Sequence, residues 1–400
     1  MRIKKPSKAS RRAQPQGPYE LNRSLPNHAY APNIDDGLEP VVSSHGRPGK
    51  PRWKKVLITF CIILAVILAG SGAWVGWKFA SNLAKIYGWN NLWSLLHSTK
   101  LKGEDRGRVN ILLAGNSADD PGHGGANLTD SIMLVSIDPK TNKAFLLSIP
   151  RDLYVNIPDN GYAKINETYQ DGEEDGFSEP GYAKGGMGLL EKVVSESTGQ
   201  PIDYYALVDY SALKNAVNAV GGVTVNIQSS DPRGLYDPSP DLTTHQALVN
   251  LPNGLQTLNG QQALGLSRAR GDSYRAYGFP QSDFDRTEHQ RQILIALKDK
   301  ASGLGTLSNP VKLGELADSL GDNVHTDLKG GETRRLYTIM KQIQNSNIKS
   351  AGLNDANGED LLDSYTTRSG QSALVPRAGI DNYDEIQAFI SSLTGTTSGQ

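Results

Sequence analysis

Cysteine is almost missing from this sequence of 400 residues, Cys61 being the only one. A single thiol forms no intrachain disulfide, so packing and hydrogen bonding alone must hold the fold. Histidines number seven, and His123 and His245 stand singly in loops without the His or Cys spacing that a zinc enzyme needs. The Gly-rich loop that follows Ala114 and runs to Asn127 lacks the Gly-Lys-Ser/Thr ending of a phosphate loop and does not match a dinucleotide fingerprint. Nucleotide binding is therefore not supported. A surplus of one charge is lacking as well, the formal net charge being −1. At this length the chain has room for two or three domains of roughly 100 to 200 residues each.

That near-neutrality conceals a lopsided distribution. Residues 1–55 hold Arg2, Lys4, Lys5, Lys8, Arg11, Arg12, Arg52, Lys54 and Lys55 amid Pro, Ser and Asn, with few large apolar side chains, which is the composition of a disordered segment. Residues 56–80, VLITFCIILAVILAGSGAWVGWKFA, are apolar for long enough to cross the ~30 Å hydrocarbon layer as a helix. Trp53, Trp74 and Trp77 near its ends suit the headgroup region, and the basic cluster before it predicts a cytoplasmic N-terminus with the remaining chain outside the cell membrane. The length of the run and of the segment before it predicts an uncleaved signal anchor rather than a cleaved signal peptide. Cys61 lies within the run rather than just after it, which argues against a lipoprotein. Residues 81–108 read as a juxtamembrane helix and a linker.

The soluble part is organised around Asn127–Pro158. Two apolar runs, Ser131–Ile137 and Ala144–Ile149, flank a polar turn at Lys140–Lys143, and Pro139 cannot donate to a ladder, so the first run stops there. Antiparallel pairing brings the exit of the second run beside the start of the first, so Asp130 and the Arg151-Asp152 pair share one end of a sheet. An arginine suits an anionic ligand and a carboxylate suits a metal ion or a proton. The same charges also suit plain strand ends, and the residues alone leave both readings open.

Further strands are expected at Val109–Ala114, Pro201–Val208 and Val223–Ile227, with helices at about 184–196, 211–220, 260–266 and 287–300. This alternation predicts an α/β fold with a mixed central sheet flanked by helices, preceded by one transmembrane helix. Residues 229–248 read as turn-rich, and Leu251–Leu258 as a loop before an N-cap at Asn259. Arg268 and Arg270 are two apart and cannot share a helix face, so they converge only if extended or at a helix end. Gly271–Ser282 is long for an internal connection and is a lid candidate. Arg286 is placed just before the next helix, where an anion has free backbone N–H groups to use. Helices are also expected at 310–319, 332–344 and 384–392, with strands near 361–365 and 373–376.

The segments NILLAG, TDSIMLVSIDPKTNKAFLLSIPRDLYV, KIN, PIDYYALVDY, GGVTVNI, LNGQQALGLSRAR and DFDR stand in one order over residues 109–300. In these the chain resembles the LytR-CpsA-Psr family of membrane-anchored cell-wall ligases. The resemblance implies a phosphotransferase that joins a glycopolymer, carried on a polyprenyl diphosphate, to peptidoglycan through a phosphodiester. A binder of the lipid carrier without transfer and a diphosphate hydrolase are the alternatives. It also implies that Arg151, Arg268, Arg270 and Arg286 hold the diphosphate, where Lys164, close to the Arg151 end in sequence, can join them, and that Asp130, with Asn116 at the position of a second ligand, holds a divalent cation, usually Mg2+. Beside a catalytic Arg151, carboxylate chemistry and proximity to key arginines make Asp152 and Asp283 candidates for the base. Membrane contact is implied, and a nucleic-acid partner is not. Residues 109–300 are then the catalytic core, 301–392 complete it or form a small appended module, and 393–400 are a flexible tail.

Three positions depart from the family pattern. Asn116 replaces an aspartate, Leu128 replaces the arginine before Thr129-Asp130, and His289 stands where an arginine usually follows DFxR. Asp119 or Asp120 is the expected compensation for Asn116. A lipid tail requires an apolar lining, expected from Leu189–Val194, Leu207 or Ile293–Leu297.

Overall fold

The computed structural model describes residues 98–119, 127–241, 244–303, 321, 323–354 and 359–394, with 80, 81 and 84. All of them belong to one compact unit, residues 63–400. Val109–Gly115 (β1), Ser131–Asp138 (β2), Lys143–Ile149 (β3), Tyr204–Val208 (β4), Val324–Thr326 (β5) and Ile348–Gly352 (β6) form a sheet in the order β5-β4-β1-β2-β3-β6. It is mixed: β1–β2, β2–β3 and β4–β5 are antiparallel, whereas β1–β4 and β3–β6 are parallel. The two edge strands thus come from the part of the chain beyond residue 300.

The helices are Thr168–Glu174 (α1), Gly186–Thr198 (α2), Tyr210–Ala219 (α3), Gly260–Arg268 (α4), Asp283–Gly303 (α5), Gly330–Gln342 (α6) and Asp384–Thr394 (α7). Alternation along β2 and β3 sorts their side chains between two layers. Ile132, Leu134, Phe145 and Leu147 pack with Leu190 of α2 and Phe389 of α7. Met133, Val135 and Leu146 face the other way, against Leu294 and Ile295 of α5 and Ile339 of α6. Each such side chain, fully buried, stabilises the fold by about 1.5–3 kcal/mol. A third cluster joins Val217 of α3 and Leu266 of α4 to Val225 and Val249, and it reaches Ile293 and Ala296 of α5. Helix α5 therefore carries apolar residues toward both the sheet and this outer cluster.

The hairpin turn is built by local polar chemistry. Asp138 Oδ1 accepts from the backbone N–H groups of Lys140 and Thr141, and Asn142 takes φ +52°, a left-handed value that Asn tolerates. Asn259 caps α4 as expected, in a capping box with Gln262.

Several expectations are corrected. Leu235–Pro240 pairs with Ala247–Leu251 and Gly254–Leu258 with Val223–Ile227, where turns and a loop were expected. Pro238 and Pro240 hide the first pairing in the sequence, yet a two-stranded ribbon with a register shift between Asp237 and Pro240 tolerates them. Helix α5 starts at Asp283, so Arg286 lies inside its first turn, with its N–H donating to the Ser282 carbonyl. Asp283 and Asp285 occupy the positive end of the helix, where an anion had been expected to use free N–H groups.

The single-pass topology and signal anchor are corrected too. No helix among the described residues is long and apolar enough to cross a membrane. The longest, α5, carries Asp283, Asp285, Arg286, Glu288, Arg291, Lys298, Asp299 and Lys300, charges that forbid a span. Residues 56–79 lie outside the described residues, as does the helix expected at 310–319.

Candidate active site

Register places the first two charged residues together. Ile132 pairs with Ile149, so one step past that pair Ser131 faces Pro150, and the next step brings Asp130 to Arg151. Arg151 Nη1 donates to Asp130 Oδ1 at 2.7 Å. Burial pulls the Arg151 pKa down, but Asp130, then Asp283 and Asp152, outweigh it and the net shift is upward. Arg286 crosses from α5 to the same corner and donates from Nη2 to the Asp130 carbonyl at 2.8 Å. It is only 6% exposed, and burial depresses its pKa.

Arg268 and Arg270 arrive from the third cluster. Arg268 is the last residue of α4, Ala269 leaves the helix in an extended conformation, and Arg270 follows. The helix end is what lets two arginines spaced two apart approach one site. The Arg268 guanidinium lies over the Tyr210 ring at 4.8 Å, and Arg270 pairs with Asp272 at 3.2 Å.

Asn116, Asp130, Arg151, Arg268, Arg270 and Arg286 all line one cavity of about 280 Å³. Apolar side chains make up much of the rest: Leu113, Met133 and Val208 from the sheet, Leu213 from α3, and Ile293, Leu294 and Leu297 from α5. Of the residues expected to line an apolar groove, Ile293, Leu294 and Leu297 of α5 do so and Ile295 and Ala296 do not, whereas Leu189, Leu190, Val193, Val194 and Leu207 belong to the core on the opposite face of the sheet. The buried Nε atoms of Arg151 and Arg286 have no hydrogen-bond partner. The Arg151 Nε is turned toward two carboxylates, those of Asp152 and Asp283, each 3.7 Å away.

Asp152, Asp283 and Lys164 lie off the cavity wall, behind the arginines. Asp283 Oδ1 is 3.0 Å from Arg286 Nη2 and 3.7 Å from Arg151 Nε. Lys164 Nζ donates to Asp152 Oδ1 at 2.7 Å, and the other Asp152 oxygen is 3.7 Å from Arg151 Nε. Tyr210, Ser267 and Gln290, which the sequence did not single out, also line the cavity. Tyr210 closes the PIDYYALVDY segment, and that position was the available signal.

The departures now have physical contexts. Asn116 is 5% exposed, and its Oδ1 accepts weakly from Ala118 N–H at 3.4 Å. Asp119 accepts from the N–H groups of Tyr210 and Ser211 and so is engaged at the start of α3, while Asp120 lies outside the described residues. His289 is 9% exposed, its ring meets Phe279 edge-on at 5.8 Å, and burial, with repulsion from Arg291, drives its pKa down to about 4. It packs the 271–282 loop rather than facing the cavity. That loop is further tied down by Gly271 N–H to Asp237, by the Tyr236–Tyr277 backbone pair and by Ser273 to Ser239.

No group of three His, Cys, Asp or Glu able to hold a metal occurs among the described residues. Magnesium needs less, because it keeps waters and takes oxygens from substrate phosphates beside one or two carboxylates. Asp130 supplies a carboxylate, and Asn116 adds an amide oxygen on the same wall. Asn166, whose Nδ2 is 3.5 Å from Asp130 Oδ1, has a buried Oδ1 without a partner. This all-oxygen set fits a hard cation shared with a phosphate ligand.

A family model described as the LytR_cpsA_psr family matches residues 87–374. TagU of Oceanobacillus iheyensis, a polyisoprenyl-teichoic acid–peptidoglycan teichoic acid transferase, is 35% identical over 243 residues, which are 61% of this chain and 66% of that protein. The match thus spans just under two thirds of that relative's length. A transferase of the same name from Enterococcus faecalis is 28% identical over 289 residues, 71% of this chain and 83% of the relative. A solved structure, TagT bound to LIIa-WTA, has the same fold, with a TM-score of 0.53 at 24% identity over 73% of this chain and 92% of that one.

Proposed function

The chain belongs to the LytR-CpsA-Psr family, and from that premise we propose that it transfers a glycopolymer from a polyprenyl diphosphate to peptidoglycan through a phosphodiester. One observation carries the reading: a cavity of about 280 Å³ with apolar walls from the sheet, α3 and α5 also has four arginines on its wall. A ligand with a long apolar tail and a diphosphate head satisfies both halves of that wall. The names of the two transferases describe a polyisoprenyl donor and a peptidoglycan acceptor, in keeping with this chemistry. A lipid-linked donor sets the reaction at a membrane surface.

In the reaction an acceptor sugar hydroxyl attacks the phosphorus that bears the glycan. A new P–O bond forms, the bond to the bridging oxygen breaks, and polyprenyl phosphate leaves, its freed oxygen taking up the proton that the hydroxyl loses. Arg151, Arg268, Arg270 and Arg286 bind the diphosphate and neutralise the charge that develops on its oxygens. Guanidinium groups suit this because they are permanently charged and planar. Asp283 and the Asp152–Lys164 pair act as positioning residues that hold Arg151 and Arg286. Asp130, Asn116 and Asn166 are the oxygens that would hold Mg2+, which when bound supplies further charge neutralisation at the diphosphate.

The test is a structure determined with a short polyprenyl diphosphate and magnesium. The reading predicts apolar density along Met133, Ile293 and Leu297 ending in two phosphates among the arginines. An empty cavity at saturating lipid overturns it.

A further inference from the structure

A row of tyrosines lies on the outer surface beside the charged corner. Tyr154–Ile157 and Gly161–Lys164 form a two-stranded ribbon whose Val155 and Ile157 enter the core, leaving Tyr154, Asn156 and their register partners Lys164 and Tyr162 on the opposite face. The Tyr154 and Tyr162 rings stack diagonally across the ribbon at 5.7 Å, and on its other side Tyr154 meets Tyr365 at 5.3 Å. Tyr365 belongs to a second ribbon, Leu362–Thr366 with Ser372–Pro376, joined to the first where Leu374 N–H donates to the Asp152 carbonyl.

Three large rings in a row are unusual on a face that core packing does not use. Tyr162 is 48% exposed, and Tyr154 and Tyr365 are partly exposed. The hydroxyl of Tyr162 donates to Asp381, which fixes the far end of the row. The near end adjoins the residues that back the arginines of the candidate active site: Tyr154 is the register partner of Lys164, and Lys164 holds Asp152 beside Arg151.

We infer that Tyr154, Tyr162 and Tyr365 form the subsite for the neutral sugar backbone of the acceptor, a peptidoglycan glycan strand. The inference rests on the transferase reading and adds to it the surface along which the acceptor approaches. Sugar rings present a face of C–H bonds that packs on an aromatic ring, while their hydroxyls seek carboxylates and amides at the margin. Tyr154 is held between its two neighbours, and Tyr162, 48% exposed at the end of the stack, offers the ring surface. Asp381 and Asn156 supply such groups here. The charge of the surroundings chooses between the two substrates. Asp381 bonds Tyr162 at the end of the row, Asp159 stands in the turn of the first ribbon and Asp363 two positions before Tyr365 on its strand, while Lys164 on the ribbon's outer face is paired with Asp152. An acidic, phosphate-containing donor polymer would therefore meet repulsion that an uncharged sugar backbone does not.

The test uses the purified full-length chain and two ligands titrated separately by calorimetry: an N-acetylated glucosaminyl–muramyl tetrasaccharide whose lactyl carboxyls are capped as neutral amides, and a short polyprenyl diphosphate. Wild type is expected to bind both. Tyr162→Ala should weaken the tetrasaccharide about tenfold, Tyr162→Phe less than about threefold because the ring remains, and neither should change lipid affinity. Melting temperatures confirm that each variant is folded. A folded Tyr162→Ala with wild-type affinity for the tetrasaccharide overturns the inference. So does tetrasaccharide binding that is absent from wild type, or a loss in Tyr162→Ala confined to a donor glycopolymer. Failure of wild type to bind the lipid diphosphate counts instead against the transferase reading, whatever the tetrasaccharide does.

Discussion

Arg151 and Asp130, twenty-one positions apart in sequence, meet at 2.7 Å because β2 and β3 pair in a register that sets the start of one strand against the exit of the other. The same guanidinium faces Asp152 and Asp283 at 3.7 Å. Arg151 is thus the hub of the corner, and its replacement has two separable effects. Arg151→Ala leaves three carboxylates without their common counter-ion and should lower stability by about 1–3 kcal/mol, less than for a fully buried pair because the side chains remain partly exposed. Transfer should fall at least 10²-fold. Arg151→Lys keeps the charge but not the planar fork, so it should recover most of the stability and little of the rate. Denaturant titration and turnover on the same preparations separate the two effects.

Asn116 sits on the cavity wall with Asp130 where one more carboxylate would add a hard ligand. Asn116→Asp should tighten Mg2+ binding, read by calorimetry in the presence of lipid diphosphate, by about fivefold or more. Without the cation the new carboxylate is buried beside Asp130, so the melting temperature of the metal-free variant should drop below that of wild type. Equal Mg2+ affinity in the two proteins would count against a cation at this wall.

Glu191 of α2 is 5% exposed, and burial pushes its pKa up to about 7 against the lowering effect of the Ala183 N–H. Its folded pKa exceeds its unfolded one, so the unfolded chain gives up this proton first as pH rises. Stability from this group is complete below about pH 4.5 and declines until pH passes about 7. Glu191→Gln should therefore match wild type near pH 4 and exceed it at pH 8 by on the order of 2 kcal/mol. Unfolding free energies at the two pH values check the sign.

His289 behaves oppositely. Its folded pKa of about 4 lies below its ordinary value of 6.5, so the unfolded chain binds the extra proton and stability is lost as pH falls from 6.5 toward 4. His289→Leu should flatten that acid limb. His289→Arg, which restores the residue of the family pattern, places a permanent charge against Phe279 and should cost about 2–4 kcal/mol. Melting curves at pH 5 and 7 distinguish the variants.

Much of this corner was legible in the sequence because its information is local. Pro139, the polar turn and the alternation on either side of it specify the hairpin, and the spacing of Arg268 and Arg270 demands a helix end, which Ala269 provides. Other features depend on partners far along the chain. Asp119 was a free carboxylate in the sequence and is instead engaged by backbone N–H groups at Tyr210 and Ser211. Pro238 and Pro240 spoke against a strand that an edge ribbon accommodates. Asp152 and Asp283 stand next to key arginines in sequence, yet only the packing of α5 on the sheet shows that they lie behind them rather than on the cavity wall. The row of tyrosines could not be foreseen, since Tyr154 and Tyr365 are brought together by the contact of two ribbons.

Leu213 and Leu297 face the apolar part of the cavity from α3 and α5. Leu297→Trp should fill it and weaken a polyprenyl diphosphate at least tenfold while leaving inorganic diphosphate within about twofold, because the head and tail sites are walled by different residues. Parallel titrations with the two ligands give the comparison.

The most direct measurement follows both products at once. The full-length chain, with Mg2+, a polyprenyl-diphosphate glycan and a peptidoglycan acceptor, is predicted to release polyprenyl phosphate and form an acceptor-linked phosphodiester in equal amounts, with both lost in Arg286→Ala. Release of polyprenyl phosphate at the same rate without acceptor, or binding of the donor with no release, would contradict the account.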